Sequence, residues 1–298
     1  MNLLKKSKIN DFSNFIPKKR MNLHLSKEKT YEETKEIIKR LQLQSLRRPA
    51  SLIINMIQPL LWLLLFGALF QNAPIYLFEQ YKIQYREFLN PGIIIFTGFN
   101  SAINAGLPLI FDREFGFLNR ILISPIRNKN ALVYSCIIHT WLIATTQIII
   151  IIIVTIYQNN NNIHLNIDQL IINIIISTII ISNIATISIC NALILPGHIE
   201  FIALTTLLIN LPTLFASTAL APLSFMPTWL QMICCINPLT YAIEIIRNYN
   251  LKQSIGINTE IITTTWLTVN ISQGLSILIL INIISVIIVK NIIKYKYD

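Results

Sequence analysis

An all-α membrane protein with six transmembrane helices is the fold class this 298-residue sequence predicts, and three observations predict it. Hydrophobic residues make up 53% of the chain and charged residues only 13%, about half the charged share of a soluble domain. Six stretches, 50–70, 91–110, 131–156, 169–195, 201–222 and 272–289, contain no Asp, Glu, Lys or Arg. Each is near the roughly 20 residues that cross about 30 Å of hydrocarbon. The charge is also segregated, with 13 of the 24 Lys and Arg falling in residues 1–48.

Six spans divide the polar segments between two sides. The N-terminal region, 111–130, 196–200 and 290–298 together hold 20 Lys and Arg, and 71–90, 157–168 and 223–271 hold 4. That asymmetry predicts both termini on the cytoplasmic or stromal side. Abundant Ile, Asn and Lys, with a run of four Asn at 159–162, indicate an AT-rich genome. Neither the apolar core of a signal peptide nor the Arg and Ser richness of a transit peptide is present near the N-terminus, so no cleavable targeting signal is expected.

Residues 1–29 read as a flexible basic arm, and residues 30–48 as an amphipathic interfacial helix. Thr30 is the expected N-cap, with Glu33 completing a capping box. Tyr31, Ile37, Ile38, Leu41 and Leu46 form the apolar stripe, and Arg47, Arg48 and Pro49 lead into a transmembrane domain over 49–290. Residues 291–298 make a basic tail.

The second span is the least apolar. Thr97, Asn100, Ser101 and Asn104 share a stripe that is read either as the lining of a hydrated pathway or as hydrogen-bonding glue between helices. Gly98, Ala102 and Gly106 form an adjacent small-residue face suited to close packing, between helices or between two chains. The following loop, 111–130, is amphipathic through Phe115, Leu118, Ile121 and Leu122, so one face is expected against the membrane or a protein partner. In the fifth loop, Pro222, Pro227 and Pro238 break the helix repeatedly, which predicts a re-entrant hairpin between spans five and six. Glu244 and Arg247, three apart, are expected to pair; an exposed pair of that kind is worth ~0.2–0.5 kcal/mol.

Catalytic chemistry is not evident. No two of the eight glycines are five apart, so GxxxxGK[ST] is impossible and the chain has no P-loop of its own. The spans hold one ionisable group suited to ion coupling, His139, read as hydrogen-bonded between helices. Cys136, Cys190, Cys234 and Cys235 lack metal-ligand spacing and read as small apolar filler. No metal and no nucleic-acid partner is expected.

Three blocks then carry a resemblance, over roughly 40–290, to the type-2 ABC transporter permeases, a family of drug, polysaccharide and lipo-oligosaccharide exporters. The first is Arg47-Arg48-Pro49, Gln58-Pro59-Leu60-Leu61-Trp62 and Leu65-Phe66-Gly67. The second joins Phe88-Leu89-Asn90-Pro91-Gly92 to Arg113-Glu114-Phe115-Gly116 and Ser124-Pro125. The third is Pro222-Leu223, Met226-Pro227-Thr228-Trp229-Leu230 and Asn237-Pro238-Leu239-Thr240-Tyr241, with Glu244 and Arg247 following. The chain departs from the family at Asn119, where a second acid is common.

The resemblance implies an exporter's permease subunit that forms the translocation path as a homodimer and binds no cofactor, ATP being held by a separate P-loop ATPase. It implies an ATPase-coupling loop of Arg113, Glu114, Gly116, Asn119, Arg120 and Pro125. It further implies an outer gate built on Pro222, Pro227, Asn237, Pro238, Tyr241, Glu244 and Arg247. The composition looks most like plastid-encoded members, with a bacterial inner membrane as the other location. Rival readings are a non-transporting assembly factor or scaffold and a secondary transporter or channel, the latter disfavoured by charge-free spans.

Overall fold

Residues 27–70, 85–118, 120, 130–158, 167–194, 199–252, 256, 258–264 and 267–297 are described by a computed structural model. Residues 1–26 of the N-terminal arm, the Asn run at 159–162, Asn119, Ile121, Leu122 and Pro125 lie outside the described residues, whereas 27–29 are helical. Among the described residues 86% are helical. Among them five helical segments are long and apolar enough to cross a membrane, or up to six if one bent helix pair counts as a span.

Helix α1 (Lys27–Leu46) begins three residues before Thr30, so Thr30 lies inside the helix and does not cap it. Its apolar stripe divides: Leu41 is buried in the core, whereas Tyr31 and Leu46 are exposed. The buried part packs on the start of α5 (Asn130–Gln158), where the Ser135 hydroxyl donates to the Thr34 carbonyl at 3.2 Å. Arg48 then precedes α2 (Pro49–Leu69), with Pro49 at the first helical turn, where a missing N–H costs nothing.

The second apolar segment is broken into α3 (Tyr85–Ile103) and α4 (Leu107–Glu114). Ser188 of α6 (Ile167–Ile194) repairs the break at 104–106. Its hydroxyl donates to the Ile103 carbonyl at 2.6 Å and accepts from the Gly106 amide at 3.1 Å. Gly106 permits that approach, because a Cβ there would lie 2.7 Å from the Ser188 carbonyl oxygen. Gly98 and Ala102 complete the same face, with a Gly98 Cβ position 3.2 Å from Ile181. The small-residue face is therefore filled by α6 within the chain and does not serve contact between two chains.

The region expected as a fifth span over 201–222 is different. Helix α7 (Ile199–Phe215) has 17 residues, about 26 Å at 1.5 Å per residue, and residues 216–222 form an irregular turn instead. A short 3₁₀ turn at Leu223–Phe225 leads to α8 (Thr228–Ile236) and α9 (Pro238–Lys252), which meet at 88°. A two-stranded antiparallel hairpin follows, β1 (Glu260–Thr263) with β2 (Thr268–Asn270), and its Ile261, Ile262 and Val269 cover the core. Helix α10 (Ile271–Tyr297) ends the chain.

One buried cluster joins α1, α2, α3, α5 and α6, and another joins α3, α6, α9 and the hairpin. Helix α3 is common to both and central: 83% of the α3–α4 window is buried against 17% for α2 and α10, so α3 is the hub. In hydrocarbon, apolar area alone does not drive helices together, and close packing and interhelical hydrogen bonds take over. The glycines on α3 are accordingly steric requirements. Gly92→Ala would put a Cβ 2.6 Å from the Ala219 carbonyl, and Gly106→Ala would meet Ser188, whereas the nearest atom to a Gly67 Cβ is 3.6 Å away. We expect the first two substitutions to lower thermal stability in detergent by about 1–3 kcal/mol each, and Gly67→Ala to be near neutral.

Candidate functional site

The α3–α4 rod covers 30 residues, about 45 Å end to end at 1.5 Å per residue, and polar side chains hold it at both ends and in the middle. At the basic end, Asp112 of α4 accepts both Nη atoms of Arg40 from α1, at 2.5 and 3.3 Å. Arg40 also lies over the Phe117 ring at 4.7 Å, and Arg48 over Phe111 at 5.5 Å. On the other side Arg113 donates to the Ala192 carbonyl at 3.0 Å, satisfying a carbonyl in the last turn of α6. Helix α4 is thus braced between α1 and α6.

Beyond the brace the chain projects outward. Glu114 and Arg120 are exposed, Phe115 is 74% exposed, and Gly116 turns the backbone with φ 69°, a left-handed conformation that glycine adopts without strain. The expected single amphipathic face is therefore split, because Leu118 is buried while Phe115 points out. Sequence reading missed Arg40 and Asp112 as members of this elbow. Each sits on a polar helical face, and their opposite charges meet only once the fold brings α1 to α4.

Mid-rod, the predicted polar stripe lies inside the chain. Asn100 donates to the Asn55 carbonyl at 3.3 Å and to Gln58 Oε1 at 3.4 Å, and its own Oδ1 accepts from Asn210 at 3.0 Å. Ser101 donates to Gln147, which itself donates to the Leu52 carbonyl at 3.5 Å. Thr97 and Asn104 bond back to the carbonyls of Ile93 and Asn100. These contacts tie α3 to α2, α5 and α7. His139 is buried, and its Nδ1 has no hydrogen-bond partner among the described residues. The four cysteines are buried and free, as filler would be.

The far end is the most polar place in the interior. Arg247 is completely buried and Glu244 nearly so, and the two form the expected pair. Arg247 donates through Nη1 to Glu244, through Nη2 to the carbonyls of Thr218 at 2.7 Å and Phe88 at 3.2 Å, and through Nε to Phe88 at 3.3 Å. Its guanidinium also stacks 3.7 Å from the Phe88 ring centroid. One side chain therefore joins α9, the first turn of α3 and the irregular turn 216–222.

The predicted gate residues Asn237, Pro238 and Tyr241 converge nearby. Asn237 Oδ1 accepts the Leu239 amide at 3.0 Å, capping α9 with Pro238 at its first position. Its Nδ2 donates to the carbonyls of Thr213 and Ala216 at 3.0 and 2.7 Å, closing the end of α7. Tyr241 donates to the Cys235 carbonyl at 2.5 Å across the 88° bend. Pro222 and Pro227 border an apolar cavity of about 400 Å³ with aromatic walls from Phe66, Phe70, Phe215 and Phe225.

Residues 32–251 match the ABC-2 type transporter family. The chain is 43% identical over 267 residues to the "Putative transport permease ycf38" of Porphyra purpurea, covering 90% of each chain. It is 42% identical over 263 residues to the protein of the same name from Cyanophora paradoxa, covering 87% of this chain and 88% of the relative. The matched span takes in α1, the rod and both bent helices.

Removing one partner from a buried ion pair leaves an uncompensated charge and costs ~3–5 kcal/mol, whereas replacing both with apolar groups costs far less. Glu244→Gln and Arg247→Met are each expected to lower the detergent melting temperature sharply, and the Glu244→Leu/Arg247→Met pair to regain much of it. Equal melting of the single variants and the parent would show that the pair holds nothing.

Proposed function

The chain belongs to the ABC-2 type transporter family, and we propose that it is the membrane-spanning subunit of an ATP-driven exporter, working as a homodimer with a separate P-loop ATPase. The observation that carries the reading is the braced elbow. Helix α4 is held by Arg40–Asp112 on one side and Arg113–Ala192 on the other, while Glu114, Phe115 and Arg120 project from it. A rigid support presenting an exposed aromatic ring and charges of both signs suits docking into a groove of another protein. The sequence lacks a P-loop, so the energy for transport must come from such a partner.

Force applied at the elbow has a direct route. Helix α4 continues into α3 across the Ser188-bridged break, and α3 ends beneath the Arg247 network. In this mechanism closure of the ATPase pushes α4, the rod tilts, and the carbonyls of Phe88 and Thr218 shift against Arg247. That loosens the re-entrant hairpin α8–α9, which acts as the outer gate of a six-span domain. Thr97, Asn100, Ser101 and Asn104 transmit the tilt to α2, α5 and α7, and the path opens where these helices part.

Pairing of two chains is supported by unequal burial. Helix α7 is short and exposes Leu204, Leu207, Leu208 and Leu211, and α2 is similarly bare. A second copy across these faces would complete a wall that one chain leaves thin. Relatives of this chain are plastid-encoded, which supports a plastid membrane, with the basic side toward the stroma.

Purification of the tagged chain from its native membrane is expected to recover a soluble P-loop ATPase in stoichiometric amount. Reversing charge at Glu114 and Arg120 together should weaken that association by about tenfold or more, ~1.4 kcal/mol. Asp112→Asn should leave the ATPase bound but reduce coupling of hydrolysis to transport. Absence of any ATPase at every detergent strength would sink the exporter reading in favour of a non-transporting scaffold.

A further inference from the structure

Helices α5, α6 and α10 enclose two hollows that neither end of the rod uses. One, of about 390 Å³, is lined by residues including Ile137, Trp141, Thr178, Ser182 and Ile283. The other, of about 30 Å³, lies toward the basic end and is bordered by Val133, Tyr134, Ile137, Thr186 and Lys290. Ile137 borders both hollows, and the α6 and α10 residues of the second lie one turn beyond those of the first. Together they form a single groove. Ile138, Ile279 and Ile283 on its rim are 40–55% exposed, so it opens outward from the bundle.

Along α10 the groove runs from Ile279 to Lys290, eleven residues or about 16 Å at 1.5 Å each. One leaflet of hydrocarbon is about 15 Å deep, half of the ~30 Å core. The wide end therefore sits near the bilayer midplane and the narrow end near the surface on the basic side. At that narrow end Lys290 is exposed and Tyr134 is 42% exposed, two turns from the end of the apolar span at Ile292 or closer. A cation beside an amphipathic phenol at this height matches a negatively charged headgroup. A helix about 10 Å across is too wide for the constriction beside Thr186, whereas a single hydrocarbon chain follows it.

We propose that this groove binds an anionic glycerolipid of the leaflet on the basic side, with its headgroup on Lys290 and Tyr134 and one acyl chain reaching the hollow beside Trp141. The site is independent of the transport cycle proposed above. It fixes α10 and α5 together.

The test is native mass spectrometry of the full-length protein released from mild detergent after equilibration with equal amounts of dioleoyl phosphatidylglycerol and dioleoyl phosphatidylcholine. The parent is expected to retain phosphatidylglycerol about fivefold in preference, the effect of one lysine near the membrane surface. Lys290→Glu, at an exposed position that leaves folding untouched, should erase the preference and keep the weaker retention of phosphatidylcholine. Ile137→Trp, which plugs the groove midway, should remove retention of both. Equal retention by the parent, or a preference that survives Lys290→Glu, overturns the proposal.

Discussion

A guanidinium with no access to water sets the terms for the rest of this molecule. Arg247 can stay charged at 0% exposure only because Glu244, two backbone carbonyls and the Phe88 ring surround it. Those groups come from three parts of the chain, α3, the turn at Ala219 and α9, that also meet in one apolar cluster. Satisfying the charge therefore forces the first turn of α3, the turn 216–222 and α9 into one arrangement. Gly92 is part of the same constraint, because the turn that supplies the Thr218 carbonyl passes within Cβ distance of it. The irregular backbone at 216–222 is tolerable at this depth because Ser217, Thr218 and Ala219 are buried in protein.

The opposite end of the rod repeats the logic with a different balance. Arg40–Asp112 is part-exposed, with side-chain exposures of 31% and 10%, so water competes with the pair and its stabilising contribution is modest. The far-end pair is locked and costly to break, and the elbow pair is adjustable. The coupling role proposed above suits one firm anchorage and one that can be displaced. The broken segment between α3 and α4 is kept rigid by Ser188, which replaces the missing ladder bonds with a side chain from a neighbouring helix.

Much of this was legible in the sequence where a local rule carried it. Charge-free stretches located α2, α3, α5, α6 and α10, since no soluble alternative buries so many. Pro227 and Pro238 marked helix breaks, and α8 and α9 begin at or just after them, because Pro ends a helix locally. The failures arose where tertiary context decides. The pairing of Glu244 with Arg247 was legible, but its burial was not, because i,i+3 spacing says nothing about burial. The small-residue face of α3 fits a second chain as well as it fits α6, and only the fold chooses. Thr30 lost its capping role because the helix extends further toward the N-terminus than local preference required. The span expected at 201–222 stops at Phe215 because Pro212 and the demands of the Arg247 network end the helix early. Asp112 was unreadable, since its partner lies on another helix.

Apolar composition cannot separate a lipid-facing helix from one that waits for a partner, because lipid tails are as apolar as Leu. Shape and length can separate them. Helix α10 is exposed, yet its 22-residue span crosses hydrocarbon unaided at about 33 Å. Helix α7 is exposed at about 26 Å and ends in an irregular turn, so its outer end needs protein cover that α10 does not. Within the chain that cover comes from Asn237, which takes up the carbonyls of Thr213 and Ala216, and it reaches only one side of α7. The open side carries Leu204, Leu207, Leu208 and Leu211 in helical register. The proposed second copy at α7 and the proposed lipid at α10 thus differ in cause: α10 satisfies its own backbone across the membrane, and α7 does not.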